Sequence, residues 1–380
     1  MKSPEELRVS NELKVLRHLL ESTRATKVDT ARETGLTLVT VNSIFNGMKG
    51  RILEEAGTET DKPGRNPVIY AFRPDRNHIL GITVYIEGIA IRVENLQKSL
   101  LHEAFIKVDV HAQYDEVLEA IKREIPHLHE RFDLVAAGVA IPGAYDGKSG
   151  KITFSPNILY LRGKDFRGDL ETLTGLRTYI EKDVHSAALI LKDMFHKEDV
   201  SVFLSVRGGV GCSVMYKGEI IRGAGSMAGE TGHFSIDRKG PACSCGKKGC
   251  LEMTASDHAL LNAFPGSSLK EIIQRTLEGE QEIIRWMKQA CGKLSILVEG
   301  ILQFYDPGNL VINSSWISRV PEVRDHMAAI CKSYNAALVV VFIDEEKIYE
   351  QGSILTARDR LFHDIHENIL TGGTHDQKKH

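Results

Sequence analysis

Residues 78–141 restrict this chain more than any other stretch. Residues 79–85 and 88–93 are β-branched runs, and residues 99–110 read as a third strand. A helix is expected over 115–124, with Pro126 stopping it, and 134–141 reads as a buried strand ending in Pro142 and Gly143. Strand, strand, strand, helix, strand is the signature of an α/β fold. The pattern begins again at 201–206 and again at 309–312, with long helices between. Two α/β lobes with a cleft are expected, and clefts are where small ligands sit.

A different pattern precedes it. Ser3, Pro4 and Glu6 have the order of a helix start, and Leu13, Leu16 and Leu20 then recur at helical spacing. Two short helices follow, 27–34 and 37–45, hinged at Gly35. Ala31 is small enough for close helix contact, and Val41 and Ile44 face inward while Thr40, Asn42 and Ser43 point outward. That is the pattern of a helix-turn-helix, although small-residue turns between ordinary helices are also common. Residues 51–55, a turn-rich stretch and an alternating strand over 65–72 add a hairpin, which makes the expected unit a winged helix. On that reading Thr37, Thr40, Asn42 and Ser43 face base edges, while Arg51, Arg65 and Asn66 are placed to meet phosphates or the minor groove. Short hydroxyl and amide side chains discriminate bases weakly, so a dimer reading two half-sites of a palindrome is expected. The domain division expected is 1–75 and 76–380.

Composition narrows the class further. A chain of 380 residues exceeds one ordinary core. An apolar fraction of 42% without any run long enough to span a bilayer excludes a membrane-inserted protein. Acids at Glu5 and Glu6 stand where a secretion signal needs basic and then apolar residues, so a cytoplasmic location is expected. Net charge is −3, with +1 on residues 1–75, so charge alone does not advertise a nucleic-acid binder.

Six cysteines are too few for a disulfide scaffold, yet three of them crowd into Cys243-Ser244-Cys245-Gly246-Lys247-Lys248-Gly249-Cys250, ten residues after His233. Three thiolates and an imidazole complete a tetrahedral zinc shell, and the glycines permit the tight loop. Four protein ligands leave no open position, so a structural zinc on His233, Cys243, Cys245 and Cys250 is expected. Cys212, Cys291 and Cys331 lack metal-like spacing and are expected in the core.

Glu230-Thr231-Gly232-His233, followed by the cysteine loop and by Leu251-Glu252, resembles the signature of the ROK family of repressors, open reading frames and sugar kinases. The resemblance takes in 138–143, Ser155-Pro156-Asn157, Glu181-Lys182-Asp183, 208–211, the loop 233–252 and the helix-turn-helix. It implies an actin-like, ribonuclease H-like two-lobed sugar-binding fold. It places Asn157, Asp183, Glu230, His233 and Glu252 at the family's sugar-contacting positions, with Asp183 at the position of the kinases' general base. Carboxylates and amides suit paired hydroxyls, and a metal on one ring nitrogen of His233 leaves the other for a sugar oxygen.

The departures from the family pattern are equally informative. Where family kinases carry Asp-x-Gly-x-Thr, this chain has Thr83, Tyr85 and Glu87, and the later glycine-rich segment reads Asn313-Ser314-Ser315. A carboxylate repels a triphosphate and a tyrosine blocks close backbone approach. Only the loop 207–211 is largely intact. Lys182 and His185 replace asparagines, and Lys182 either pairs with Asp183 or marks an anionic ligand. The expectation is a sugar-responsive, DNA-binding repressor of the xylose-repressor or N-acetylglucosamine-repressor type, with no catalytic residue and Asp183 a vestigial base. The alternative is an ATP-dependent sugar kinase.

Overall fold

The computed structural model describes residues 4–59, 66–109, 112–147, 149–196 and 198–370. The chain divides into two compact units, one comprising 1–139, 167–180 and 353–380 and the other 140–166 and 181–352.

The first unit opens with α1 (Pro4–Ser22), the short strand β1 (Arg24–Thr26), α2 (Lys27–Thr34) and α3 (Leu38–Met48). Both short helices start on a threonine. The Thr26 hydroxyl accepts the Asp29 N–H at 3.1 Å, and that of Thr37 accepts the Thr40 N–H at 3.2 Å, each satisfying a donor the helix leaves open. Gly35 stops α2 in the left-handed region, with φ +68°. The strands β2 (Leu53–Thr58) and β3 (Val68–Phe72) pair as a hairpin, and β1 joins its other edge in the order β1-β3-β2. Val15, Leu19, Val41, Phe45 and Leu53 are fully buried between helices and sheet, and Phe45 meets Tyr70 edge-on at 5.0 Å. Val15 and Leu19 lie deeper than the Leu13, Leu16 and Leu20 stripe expected of α1. Arg65 and Ser3 lie outside the described residues.

Strands β4 (His78–Val84), β5 (Gly88–Glu94) and β6 (Leu100–Lys107) form an antiparallel meander, extended past β4 by β7 (Leu134–Ile141). Every residue of β4 is buried, whereas β6 alternates as an edge strand should. Between β6 and β7 runs α4 (Tyr114–Arg131), which passes through Pro126 instead of stopping there. Proline costs a helix one internal hydrogen bond, about 3 kcal/mol. Val117, Ile121, Ile125 and Leu128 continue the buried stripe on both sides of it, and burial of each large apolar side chain stabilises by roughly 1.5–3 kcal/mol. The packing outweighs the proline.

The hairpin β8 (Ala144–Asp146) and β9 (Lys151–Phe154) belongs to the second unit, after which α5 (Phe166–Thr174) leads to β10 (Thr178–Lys182), the outer strand beside β7. The short helices α6 (Asp183–Ala188) and α7 (Leu191–Met194) precede the second large sheet. Its antiparallel strands are β11 (Ser201–Val206), β12 (Val210–Tyr216) and β13 (Glu219–Ile220). Helices α8 (Glu252–Ala255), α9 (Asp257–Ala263), α10 (Leu269–Leu277) and α11 (Gln281–Tyr305) follow. They lead to β14 (Asn309–Asn313), which pairs parallel to β11 in the register Leu204↔Ile312. Helices α12 (Ser315–Arg319) and α13 (Pro321–Tyr334) then lead to β15 (Val339–Ile343), parallel to β14.

Both large sheets therefore have one strand order: a three-strand meander whose first strand is extended by two later ones. This duplication is the actin-like pattern expected from the resemblance. Helices α11 and α13 cover the second sheet, with Leu204, Ile312, Trp316, Met327 and Cys331 fully buried. Cys212 and Cys291 are buried there too, as expected of thiols without metal-like spacing. The last helix among the described residues is α14 (Ile348–Leu370). In the first unit its backbone lies so close to β7 that a Cβ on Gly138 would sit 1.8 Å from the Ser353 carbonyl oxygen. Only glycine permits that approach.

Candidate functional site

His233 ends a single 3₁₀ turn, Thr231–His233, and the cysteine loop folds back on it. The Cys243 N–H donates to the Lys247 carbonyl and the Gly249 N–H to that of Pro241, while the Leu251 N–H donates to Phe234. Gly249 has φ +65°, and a Cβ there would fall 1.5 Å from the Asp237 carbonyl oxygen, so the loop closes only with glycine. One ligand atom from each of His233, Cys243, Cys245 and Cys250 lies within 4.8 Å of the others, a group that can hold a metal ion. Cys243 Sγ is 3.4 Å from His233 Nδ1, and the sulfurs of Cys245 and Cys250 are 3.6 Å apart.

The two ring nitrogens of His233 face different groups. Nδ1 is on the sulfur side, 3.1 Å from Glu252 Oε1, while Nε2 looks toward Glu230 Oε2 at 3.7 Å. Glu252 starts α8 and lies 3.2 Å from the Cys243 sulfur. Asn157 touches the loop through its Oδ1, which accepts the Ser244 hydroxyl at 2.8 Å. Phe154 meets the His233 ring edge-on at 5.5 Å. Asp183, at the start of α6, lies within the field of Glu230. The five residues assigned to sugar by resemblance therefore belong to one neighbourhood of the second unit.

Lys182 does not form its ion pair with Asp183. Its fully buried ammonium pairs with Glu230 Oε1 at 2.8 Å and donates to the Ala228 carbonyl at 2.9 Å. The backbone turns between β10 and α6, so these neighbouring side chains diverge. Asp183 is left with one hydrogen bond in which its carboxylate accepts, from the Val184 N–H at 2.6 Å. Burial, then the Glu230 charge, push its carboxyl up to about 7. Beside it, Glu181 takes Arg222 Nε at 2.7 Å and His185 Nδ1 at 3.3 Å. Burial alone would raise Glu181, but the His185 hydrogen bond and the Arg222 charge hold it near 2. Arg222 carried no signal in the sequence, being 41 residues from its partner.

The segments matched to phosphate elements are engaged with the chain itself. Thr83 is buried opposite Ala90, and the Tyr85 N–H closes the following turn on the Gly88 carbonyl at 2.8 Å, leaving Glu87 exposed. The buried Asn313 amide bonds the Glu345 main chain through both ends, at 3.3 and 3.1 Å, and Ser314 caps α12. Arg207, at the intact glycine loop, is tied to Asp344 at 2.7 Å.

In the first unit Val41 and Ile44 of α3 are buried and Asn42 and Ser43 exposed, as the periodicity requires; Thr40 is half-buried. Thr37 spends its hydroxyl on the cap. Arg51 and Asn66 are exposed. The pattern gave no hint of Lys27, whose ammonium donates to Asn42 Oδ1 at 2.5 Å and Asn46 Oδ1 at 3.2 Å and lies 5.1 Å from the centre of the Tyr70 ring.

Comparison with known proteins agrees with this geometry. The xylose repressor of Bacillus subtilis is 26% identical over 328 residues, which cover 83% of this chain and 85% of that protein. A solved ROK family transcriptional regulator, a homologue of the E. coli MLC protein, superposes with a TM-score of 0.78 at 18% identity, covering 97% of this chain and all of that one. The ROK hexokinase of Thermus thermophilus gives 0.62 at 26% identity over 75% of this chain and 99% of its own. The ROK family model matches residues 80–350, and with the strand order and the His233 loop in place the chain belongs to the ROK family.

Proposed function

We propose that this protein is a sugar-responsive transcriptional repressor: residues 1–75 form a winged helix that binds a palindromic operator duplex as a homodimer, and residues 76–380 bind the sugar effector. The observation that carries the proposal is the solvent-facing trio Asn42, Ser43 and Asn46 of α3, on a helix-turn-helix with a hairpin, in one chain with a family sugar site. Repressor relatives aligned over most of the chain support it. Thr37, Thr40, Asn42, Ser43, Arg51, Arg65 and Asn66 are the proposed DNA contacts, with Thr37 acting through the cap.

The metal is zinc, in a structural role. A tetrahedral shell with Zn–S near 2.3 Å and Zn–N near 2.0 Å places sulfurs about 3.8 Å from one another and about 3.5 Å from the nitrogen. Two of the six separations, 3.6 and 3.4 Å, are close to those values, and all six lie within 4.8 Å. Bound there, zinc would hold His233 as one tautomer and fix the loop, leaving Nε2 for the effector.

Asn157, Asp183, Glu230, His233 and Glu252 are the proposed effector contacts. The Lys182 charge is already answered by Glu230, which favours a neutral sugar over a sugar phosphate or acid, with xylose or a related pentose first in line. Repression requires two states of different DNA affinity. A ligand that switches 99:1 to 1:99 must prefer one state by about 5.5 kcal/mol, roughly 10⁴-fold. The kinase alternative is disfavoured by Glu87 at the β4–β5 turn, which repels a triphosphate, and by the buried, self-engaged Asn313 and Ser314.

Selection of duplexes from a random DNA library by the full-length protein, with and without a sugar panel, tests the proposal. One inverted repeat, lost on adding a sugar, is expected. No enriched sequence, or ADP release that needs a sugar and Asp183, would overturn it.

A further inference from the structure

We infer that α3 reads a thymine in each half-site, with Val39 on the 5-methyl group and the Asn42 amide NH₂ on O4. The inference rests on the DNA-binding reading above and deepens it. Val39 is 81% exposed and Leu38 51%, at the first turn of α3, where a helix entering the major groove meets base edges. Val39, Asn42 and Asn46 stand three to four residues apart and share the face opposite the buried Val41, Ile44 and Phe45.

Lys27 decides what the asparagines offer. An ammonium has three donors and no acceptor, so both amides must turn Oδ1 toward it and NH₂ away. An asparagine so held has one of its two oxygen lone pairs engaged and its amide plane fixed by Lys27, which disfavours the bidentate pair with adenine, a pair that needs oxygen and nitrogen turned together to the base. Where Val39 and Asn42 adjoin, the exposed face offers an amide donor beside an apolar side chain, with the Ser43 hydroxyl next to them. Among the base edges of the major groove, guanine offers acceptors without a methyl, cytosine a donor, adenine a mixed pair, and thymine an acceptor and a methyl together. Only thymine matches both groups.

The test uses full-length protein and the selected operator, with each thymine of the half-site replaced in turn by uracil, which keeps O4 and loses the methyl. Affinities are read by fluorescence anisotropy at one salt concentration. At one thymine per half-site the wild type should bind the uracil duplex about fourfold more weakly for each methyl removed, and Val39→Ala should bind both duplexes alike. Lys27→Met should free the Asn42 amide to rotate and admit adenine at that position. A selected half-site without thymine, uracil duplexes bound as tightly as the parent, or a Val39→Ala protein that keeps the preference for thymine would each overturn the inference while leaving the regulator reading intact. Failure to select any sequence would overturn both.

Discussion

Replacing Asp183 by asparagine should remove a pH dependence from the stability of the second unit. The native carboxyl titrates near 7 against an ordinary 3.8, because burial and then the Glu230 charge disfavour its ionised form. Between those values the folded protein holds a proton that the unfolded chain has released, so stability falls as pH rises and levels off above about 7. The stabilisation is fully present below the unfolded value. From about pH 5 to about pH 8 the loss amounts to at most about 2.5 kcal/mol. Asp183 keeps some solvent exposure, so screening brings the expectation to roughly 1–2.5 kcal/mol. The assay is urea unfolding followed by tryptophan fluorescence. Both tryptophans of the chain, Trp286 and Trp316, belong to the second unit's core, so the signal reports that unit. Asp183→Asn should flatten the profile and gain most over the wild type at alkaline pH. Parallel profiles for the two proteins would refute the argument that the raised carboxyl is a burden on the fold.

Lys182→Met should cost the second unit roughly 2–4 kcal/mol in the same assay, since it leaves Glu230 and Asp183 without the buried cation between β10 and α6. Adding Glu230→Gln should recover most of that loss, and a double variant as unstable as the single would contradict the pairing. Cys245→Ser should lower metal content, measured by elemental analysis, below one ion per chain and loosen the loop at His233. A fully metallated variant would contradict the ligand assignment.

Where sequence and structure agree, the signal is local. Thr26 and Gly35 bound α2 because a cap and a left-handed stop act within one turn, and the strands at 79–85, 88–93 and 134–141 show their burial in largely apolar runs, interrupted at Thr83 and Arg92. Where they differ, a distant partner decided. The helix read as ending before Pro126 continues because Leu128 and the residues before it gain more from burial than the proline loses. Strand β1 is three residues long and exists only because β3 pairs with it.

The group that can hold a metal was legible because three of its four residues fall within eight positions and glycines mark the bends that let them converge. The charge partners were not. Lys182 was read as pairing with its neighbour Asp183 or as marking an anionic ligand, but its ammonium pairs with Glu230, 48 residues on. Lys27 reaches Asn42 and Asn46 only because Gly35 folds α2 back against α3. The sequence by itself determined the main strands and helices, the loop at His233 and the residues that stand in family motifs, since each is set by chemistry within a turn or a strand. The tertiary structure alone decided which charges meet and which amide edge faces solvent, because such pairings depend on the directions of elements that no local pattern records.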